Sequence, residues 1–462
     1  MKRIYNYLKK DAVLTISWVL AIISMLFIKP DKAYAGYTLF TPMMITRRQM
    51  EGQTESKVYL IDMNGRIVHY WTVPGVIKLH AELLENGHII CAVDDLNRPK
   101  TVTLAFSIHS ILELDWDSNI VWRYDNELMD CHDRCRLRNG NTLIQRYERI
   151  APALQAKVQG GEPGTENKGI TKNDSEDDFG WRLDDTSEGV MYTLVLEEIT
   201  PAGDVVWSMN LSEALDPEID IITPLCGREL WPGLNAIEEM PDGNIISTSY
   251  NLSTVFIWDT VKWRFGNSHG NPTKHRVSFP HDPTVLPNGH IMVFDNGRFH
   301  SADPDGSINF FPPDFSRAIE IDPETNDIVW EYRAENPVDF YSTYISSTRR
   351  LPNGNTLIDE GATSRIFEVT PMGEIVWEYR SPYGYAPAMK ANTTYRAYAV
   401  PYEWVPQLKK PVETPVTAPV EPKTFIMLPD DKGNIPNFRT TLDKRPVVQF
   451  DEPWVVSRPA KR

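Results

Sequence analysis

The sequence predicts an all-β fold, a six-bladed β-propeller closed by pairing of N- and C-terminal strands. Three observations lead there: an Asn-Gly or Asp-Gly hairpin repeated five times, a Trp-bearing hairpin repeated six times, and no helical periodicity inside either repeat. Two hairpins per unit give four strands, the content of one propeller blade, and a period near 50 residues suits blades with long outer loops.

The Asn-Gly copies are centred on Asn86-Gly87, Asn139-Gly140, Asp242-Gly243, Asn288-Gly289 and Asn353-Gly354. Such dipeptides between apolar runs predict type I′ turns, in which both central residues take positive φ. The second unit carries Trp71, Trp122, Trp207, Trp263, Trp330 and Trp377, each after an alternating run such as Val58-Tyr-Leu-Ile-Asp62. Period-2 alternation with β-branched residues reads as strand. Gly36-Tyr-Thr-Leu-Phe40 matches half of an Asn-Gly hairpin, and its expected partner is Tyr395-Arg-Ala-Tyr-Ala-Val400. One blade built from both chain ends leaves no free sheet edge. The propeller is expected over residues 36–406.

Residues 1–35 read as a segment outside the propeller. A basic start, an apolar run at 12–28 and Ala33-Tyr-Ala35 have the layout of a secretory signal peptide. An uncleaved membrane anchor through residues 12–28 is the alternative. Either places the propeller in a periplasmic or other extracytoplasmic compartment. Residues 157–189 read as an acidic loop insertion. Residues 407–462 read as a Pro-rich tail.

The formal charge is −16, and residues 1–35 carry six Lys/Arg against two Asp/Glu, so without them it is about −20. That balance excludes nucleic acid as a natural partner. Cys91, Cys131, Cys135 and Cys226 permit disulfides in an oxidising compartment. Cys131-His-Asp-Arg-Cys135 lacks a second ligand pair, so no metal site is expected.

The residue that opens each Asn-Gly hairpin is the most informative one. His132, Asn235, His281 and Ser346 each stand seven residues before the turn Asn or Asp, and His80 stands six before it. Equivalent blades would bring these residues to one radial position near the axis. Asp133 and Asp282 follow two of the histidines, and an adjacent carboxylate can orient an imidazole.

With those positions in view, His281-Asp-x3-Leu-Pro-Asn-Gly, Phe294-Asp-Asn-Gly-Arg298, Arg350-Leu-Pro-Asn-Gly-Asn-Thr-Leu-Ile358 and Arg365–Tyr379 resemble the bacterial arylsulfate sulfotransferases. The resemblance implies a six-bladed periplasmic propeller that moves a sulfuryl group from an aryl sulfate to a phenol through a sulfated histidine. It implies no nucleotide sulfate donor and no cofactor. His281, Arg298 and His132 are the expected catalytic residues, with Arg298 matching the family's sulfate-binding arginine. His80, Asn235, Tyr344, Ser346 and Asn296 are the expected substrate-binding ones. Trp231, Tyr250 and Tyr344 are candidates to flank a phenyl ring. One departure stands out: where the family carries its nucleophilic histidine, this chain has Tyr341-Ser-Thr-Tyr-Ile-Ser346.

Sulfuryl transfer needs positioning and charge stabilisation more than covalent machinery, as phosphoryl transfer does. A neutral imidazole can attack sulfur, a second imidazole can protonate the leaving phenolate, and a guanidinium can hold the equatorial oxygens. The reading from a different class is a non-catalytic binding or scaffold propeller of the cell envelope. A quinone-dependent dehydrogenase propeller would need a Ca²⁺-binding carboxylate cluster that the sequence does not show.

Overall fold

A computed structural model of the 462-residue chain describes residues 26–43, 55–94, 106–166, 189–224, 226–259, 261–266, 277–298, 314–383, 385–386 and 391–415. The fold is all-β with a propeller arrangement of sheets. Three sheets have four antiparallel strands. One runs Thr394–Pro401, Gly36–Pro42, Glu55–Ile61, Ile67–Pro74. A second runs Leu234–Glu239, Ile245–Ser249, Thr254–Trp258, Val261–Gly266, and a third His281–Val285, Ile291–Asp295, Arg317–Asp322, Asp327–Tyr332. A fourth sheet has five strands, Ser347–Arg350 through Ile375–Arg380 with Leu26–Ile28 added at its edge.

The expected six separate blades are corrected by the remaining strands. Among the described residues, four sheets stand as separate blades, and the next two expected blades form one continuous eight-stranded sheet, from Val76–Leu83 to Val205–Asn210. The reason is local. The Cys-His-Asp-Arg-Cys segment leaves an inner strand of only two residues, Cys135–Arg136. The eleven-residue strand Ile120–Asp130 overruns it and pairs directly with Thr142–Arg149 through Arg146 and Met129. Gly36–Pro42 lies antiparallel to Thr394–Pro401, Tyr37 opposite Val400. That pairing completes one four-stranded blade and does not by itself make a closed six-bladed ring.

The turns also differ from expectation. At Gly87, Gly140, Gly243, Gly289 and Gly354 φ lies between 82° and 88°, but the preceding Asn or Asp is not among the positive-φ residues. Each is therefore a type I turn closed by a left-handed glycine, as in Gly87 N–H to Leu84 O and Leu84 N–H to His88 O. The turn Asn or Asp earns its place through its side chain, which accepts the N–H two residues on, for example Asn288 Oδ1 from His290 at 3.0 Å.

The Trp hairpins link neighbouring sheets. The indole N–H of Trp71 donates to Asp115 O, Trp330 to Pro371 O and Trp377 to Met63 O, each at 2.9–3.1 Å. Buried aliphatic and aromatic side chains fill the spaces between sheets, with Trp71 and Trp377 wholly enclosed.

Residues 26–35, expected outside the fold, are packed on it where described. Ile28 is buried, Tyr34 N–H donates to Glu368 at 2.9 Å, and Lys29 and Lys32 both reach Glu374. The apolar run before residue 26 lies outside the described residues, as does most of the tail. No helix among the described residues is long and apolar enough to cross a membrane. Of the acidic insertion, residues 157–166 and 189 are described: Val158 is buried, and Arg228 binds Glu166 at 2.6 Å. No disulfide joins Cys91, Cys131, Cys135 and Cys226.

Candidate functional site

Bulges in the inner strands aim the site residues. In His281–Val285 the register slips between His281 and Thr284, with Asp282 at φ 53°. A bulge re-aims side chains that strict alternation would place on opposite faces. His281 and Asp282 accordingly enter two adjacent layers.

In the upper layer, Nδ1 of His281 lies 2.7 Å from Asn296 Oδ1 and 3.0 Å from Phe279 O. Asn296 is itself oriented, because its Nδ2 donates to Ser342 O at 2.7 Å and Ile345 O at 2.9 Å. Both partners of Nδ1 are acceptors, so Nδ1 carries the proton and Nε2 keeps its lone pair. Burial lowers the His281 pKa from 6.5 to about 4, outweighing the hydrogen bonds that favour the charged ring. The ring is neutral at physiological pH.

Around it stand Tyr250, with its ring centroid 6.1 Å away, and Tyr395, also at 6.1 Å. Arg298 Nη1 donates to the Tyr250 hydroxyl at 3.0 Å, and the guanidinium lies 5.5 Å from the Phe279 ring. The His132 ring is 6.5 Å from Tyr395 and packs on Phe106 at 4.2 Å. His281, Arg298 and His132 are thus gathered around the Tyr250 and Tyr395 rings.

The carboxylates that follow the histidines do not orient them. His132 Nδ1 instead meets Asp130 Oδ1 at 2.7 Å. Asp133 and Asp282 belong to the lower layer, where Arg396 pairs with Asp133 at 3.1 Å and Asp282 at 2.9 Å. Arg349 adds contacts to Asp282 at 2.7 Å and Glu238 at 3.1 Å. All five larger sheets contribute to this buried cluster. Although burial opposes it, Arg396, His80 and Arg134 hold the Asp133 carboxyl well below the usual carboxylate range.

The remaining expected residues separate by layer. His80 is wholly buried among the ions, with Tyr398 OH 2.9 Å from Nδ1 and Asp133 Oδ1 3.2 Å from Nε2. Its one-residue offset from the other leaders puts it level with Asp133 and Asp282 rather than with His132 and His281. Asn235 is buried, donating to Pro280 O at 2.9 Å and accepting from Thr248 Oγ1 at 2.5 Å. The Ser346 hydroxyl is held by Ser342 Oγ at 2.8 Å and accepts from Gly361 N–H at 3.0 Å. Tyr344 is half-buried, and burial pushes its phenol up to about 12. Trp231 is fully enclosed and its indole donates to Asp220 O at 2.6 Å, which makes it core.

Sequence reasoning missed Asp130 and the role of Tyr395. The spacing Asp130-x-His132 was the available signal for the first. Nothing local announces Tyr395, which reaches the site from the far end of the chain and donates from its hydroxyl to Asn235 O at 2.6 Å.

Fold and site together define an all-β, propeller-type protein with a neutral imidazole beside a guanidinium–phenol pair. Residues 185–396 match the family model described as Arylsulfotransferase (ASST), so the resemblance is shown over that stretch, just under half of the chain. His281, Arg298, Asn296 and Tyr395 lie inside the match, and His132 and His80 precede it. This family domain supports an arylsulfotransferase-like function in general terms. No curated protein matches the chain. Among solved structures, a protein of unknown function from Bacteroides caccae aligns at TM-score 0.46 and 10% identity, over 79% of this chain and 99% of that one. A catalytically inactive virginiamycin B lyase from Staphylococcus aureus with quinupristin aligns at 0.33 and 14%, over 66% and 69%. Hydrazine synthase from Kuenenia stuttgartiensis aligns at 0.38 and 10%, over 69% and 71%. At these scores the likenesses carry no weight for function.

Proposed function

We propose that the protein transfers a sulfuryl group from an aryl sulfate to a phenol, without a nucleotide sulfate donor, and that His281 is the nucleophile. The observation that carries this reading is the locked tautomer of His281. Its Nδ1 proton is held by Asn296 Oδ1 and Phe279 O, leaving the Nε2 lone pair of a neutral ring for attack.

Attack forms the N–S bond as the S–O(aryl) bond breaks, and the leaving phenolate takes the bonding pair. The ring becomes cationic, and the same two acceptors stabilise that charge through Nδ1–H. Arg298 is the group for the equatorial sulfate oxygens. Tyr250 and Tyr395 offer faces for the phenyl ring. A phenol acceptor then attacks sulfur and returns the electron pair to Nε2. Ser346 is a poor substitute nucleophile, because its oxygen is engaged by Ser342 and Gly361. The proposal places this chemistry in an extracytoplasmic compartment, reached through residues 1–35.

The test is turnover of 4-nitrophenyl sulfate with phenol as acceptor, wild type beside His281→Ala and Arg298→Ala. Phenol-dependent nitrophenol release that both substitutions abolish is the expected result. A well-folded wild type without turnover across several phenols would overturn it in favour of a binding propeller.

A further inference from the structure

The transfer moves a proton as well as a sulfuryl group, and His281 cannot carry it, since Nδ1 is committed and Nε2 bonds sulfur. We infer that Asp130 is the positioning residue that makes His132 the proton donor and acceptor of the reaction. This rests on the sulfuryl-transfer reading above.

The Asp130 carboxylate is buried and fully used. Oδ1 accepts from both His132 N–H and His132 Nδ1, each at 2.7 Å. Oδ2 accepts from the Tyr147 hydroxyl. Burial raises the Tyr147 pKa well above its ordinary value, so that hydroxyl stays a donor and holds the carboxylate in place. With Nδ1–H directed at Asp130, Nε2 is the nitrogen that exchanges protons. No hydrogen bond to it exists among the described residues, and the His132 side chain is 15% exposed. His80 has both nitrogens engaged, and an arginine does not release its proton. The His132 and His281 rings share Tyr395 as a neighbour, with centroids 6.5 Å and 6.1 Å from its ring.

The steps balance. Protonated His132 gives its Nε2 proton to the aryl oxygen as the S–O bond breaks and the N–S bond to His281 forms. In the second half, the acceptor hydroxyl gives its proton to His132 Nε2, its oxygen bonds sulfur, and the N–S electron pair returns to His281. Nothing is oxidised or reduced. Asp130 fixes the direction of the ring, as a carboxylate does for the imidazole of a hydrolytic triad.

A leaving group that needs no proton separates this role from a structural one. The measurement is kcat/KM for the donor with 4-nitrophenyl sulfate and with phenyl sulfate, for wild type, Asp130→Asn, His132→Gln and the double variant, alongside their melting temperatures. Asp130→Asn should lose about 100-fold with phenyl sulfate and less than about threefold with 4-nitrophenyl sulfate. In the His132→Gln background it should add less than about twofold, since the two act as one unit. Equal losses with both donors, or a further full loss in the His132→Gln background, would overturn the inference. If Asp130→Asn fails to fold, His132→Gln alone must still show the leaving-group dependence. A wild type inactive on both donors defeats the sulfuryl-transfer reading itself, and this inference with it.

Discussion

Asn296 Oδ1 lies 2.7 Å from Nδ1 of His281, and the two residues face each other across paired strand ends of one hairpin. The contact decides which imidazole nitrogen is available. Asn296→Ala should cut donor kcat/KM by about 10- to 100-fold, the usual effect of removing a ring's orienting partner. Asn296→Asp should keep the acceptor, raise the ring's proton affinity and move the acid limb of the pH–rate profile upward. Steady-state kinetics across pH checks both.

The buried His281 makes stability pH-dependent with a definite sign. Its folded pKa is lowered from 6.5 to about 4 by burial, so the unfolded chain binds the proton first as pH falls. Stability is full above pH 6.5, declines between there and about pH 4, and then levels. The span corresponds to a loss on the order of 3 kcal/mol. His80, also lowered by burial and by Arg134 and Arg396, acts with the same sign. Thermal melts should show this decline in wild type and a shallower one in His281→Gln.

Arg396 holds together carboxylates that arrive on two different sheets. Replacing it with Met leaves Asp133 without its guanidinium and Asp282 with Arg349 alone. Breaking a buried pair on one side should cost about 3–5 kcal/mol, and less at low pH where the carboxyls can take up protons. Urea unfolding at pH 7 and pH 5 measures both.

Removing residues 1–35 strips the edge strand Leu26–Ile28, the burial of Ile28 and the Tyr34 contact to Glu368. A chain beginning at Gly36 should lose about 2–4 kcal/mol, chiefly from the apolar burial. The Lys29 and Lys32 pairs with Glu374 are substantially exposed and should contribute little. Donor kcat/KM should be unchanged, because the strand pairing and the charged contacts of this edge among the described residues go to Glu368, Glu374 and the strand Ile375–Arg380. Unfolding and kinetics on the two chains decide it.

Much of the molecule was legible because its signals are local. A turn glycine needs positive φ wherever it stands, and alternation declares a strand without regard to its neighbours. The turn type was misread because an Asn side chain can cap the N–H two residues on while its own φ stays negative, which the dipeptide alone does not reveal. The Asp after each histidine was also misread, since a bulge at Asp282 sends adjacent side chains into different layers.

By itself the sequence determined the all-β class, the repeated hairpins and the leading positions His132, Asn235, His281 and Ser346, since turn chemistry and period-2 patterning act over a few residues. Tertiary structure alone decided that Ile120–Asp130 and Thr142–Arg149 share one sheet. It also decided that Asp130 rather than Asp133 orients His132, and that Tyr395 and Arg396 complete the two layers. Most of these are contacts that form only when separate strands come together, and their energies depend on burial that exists only once the sheets have packed.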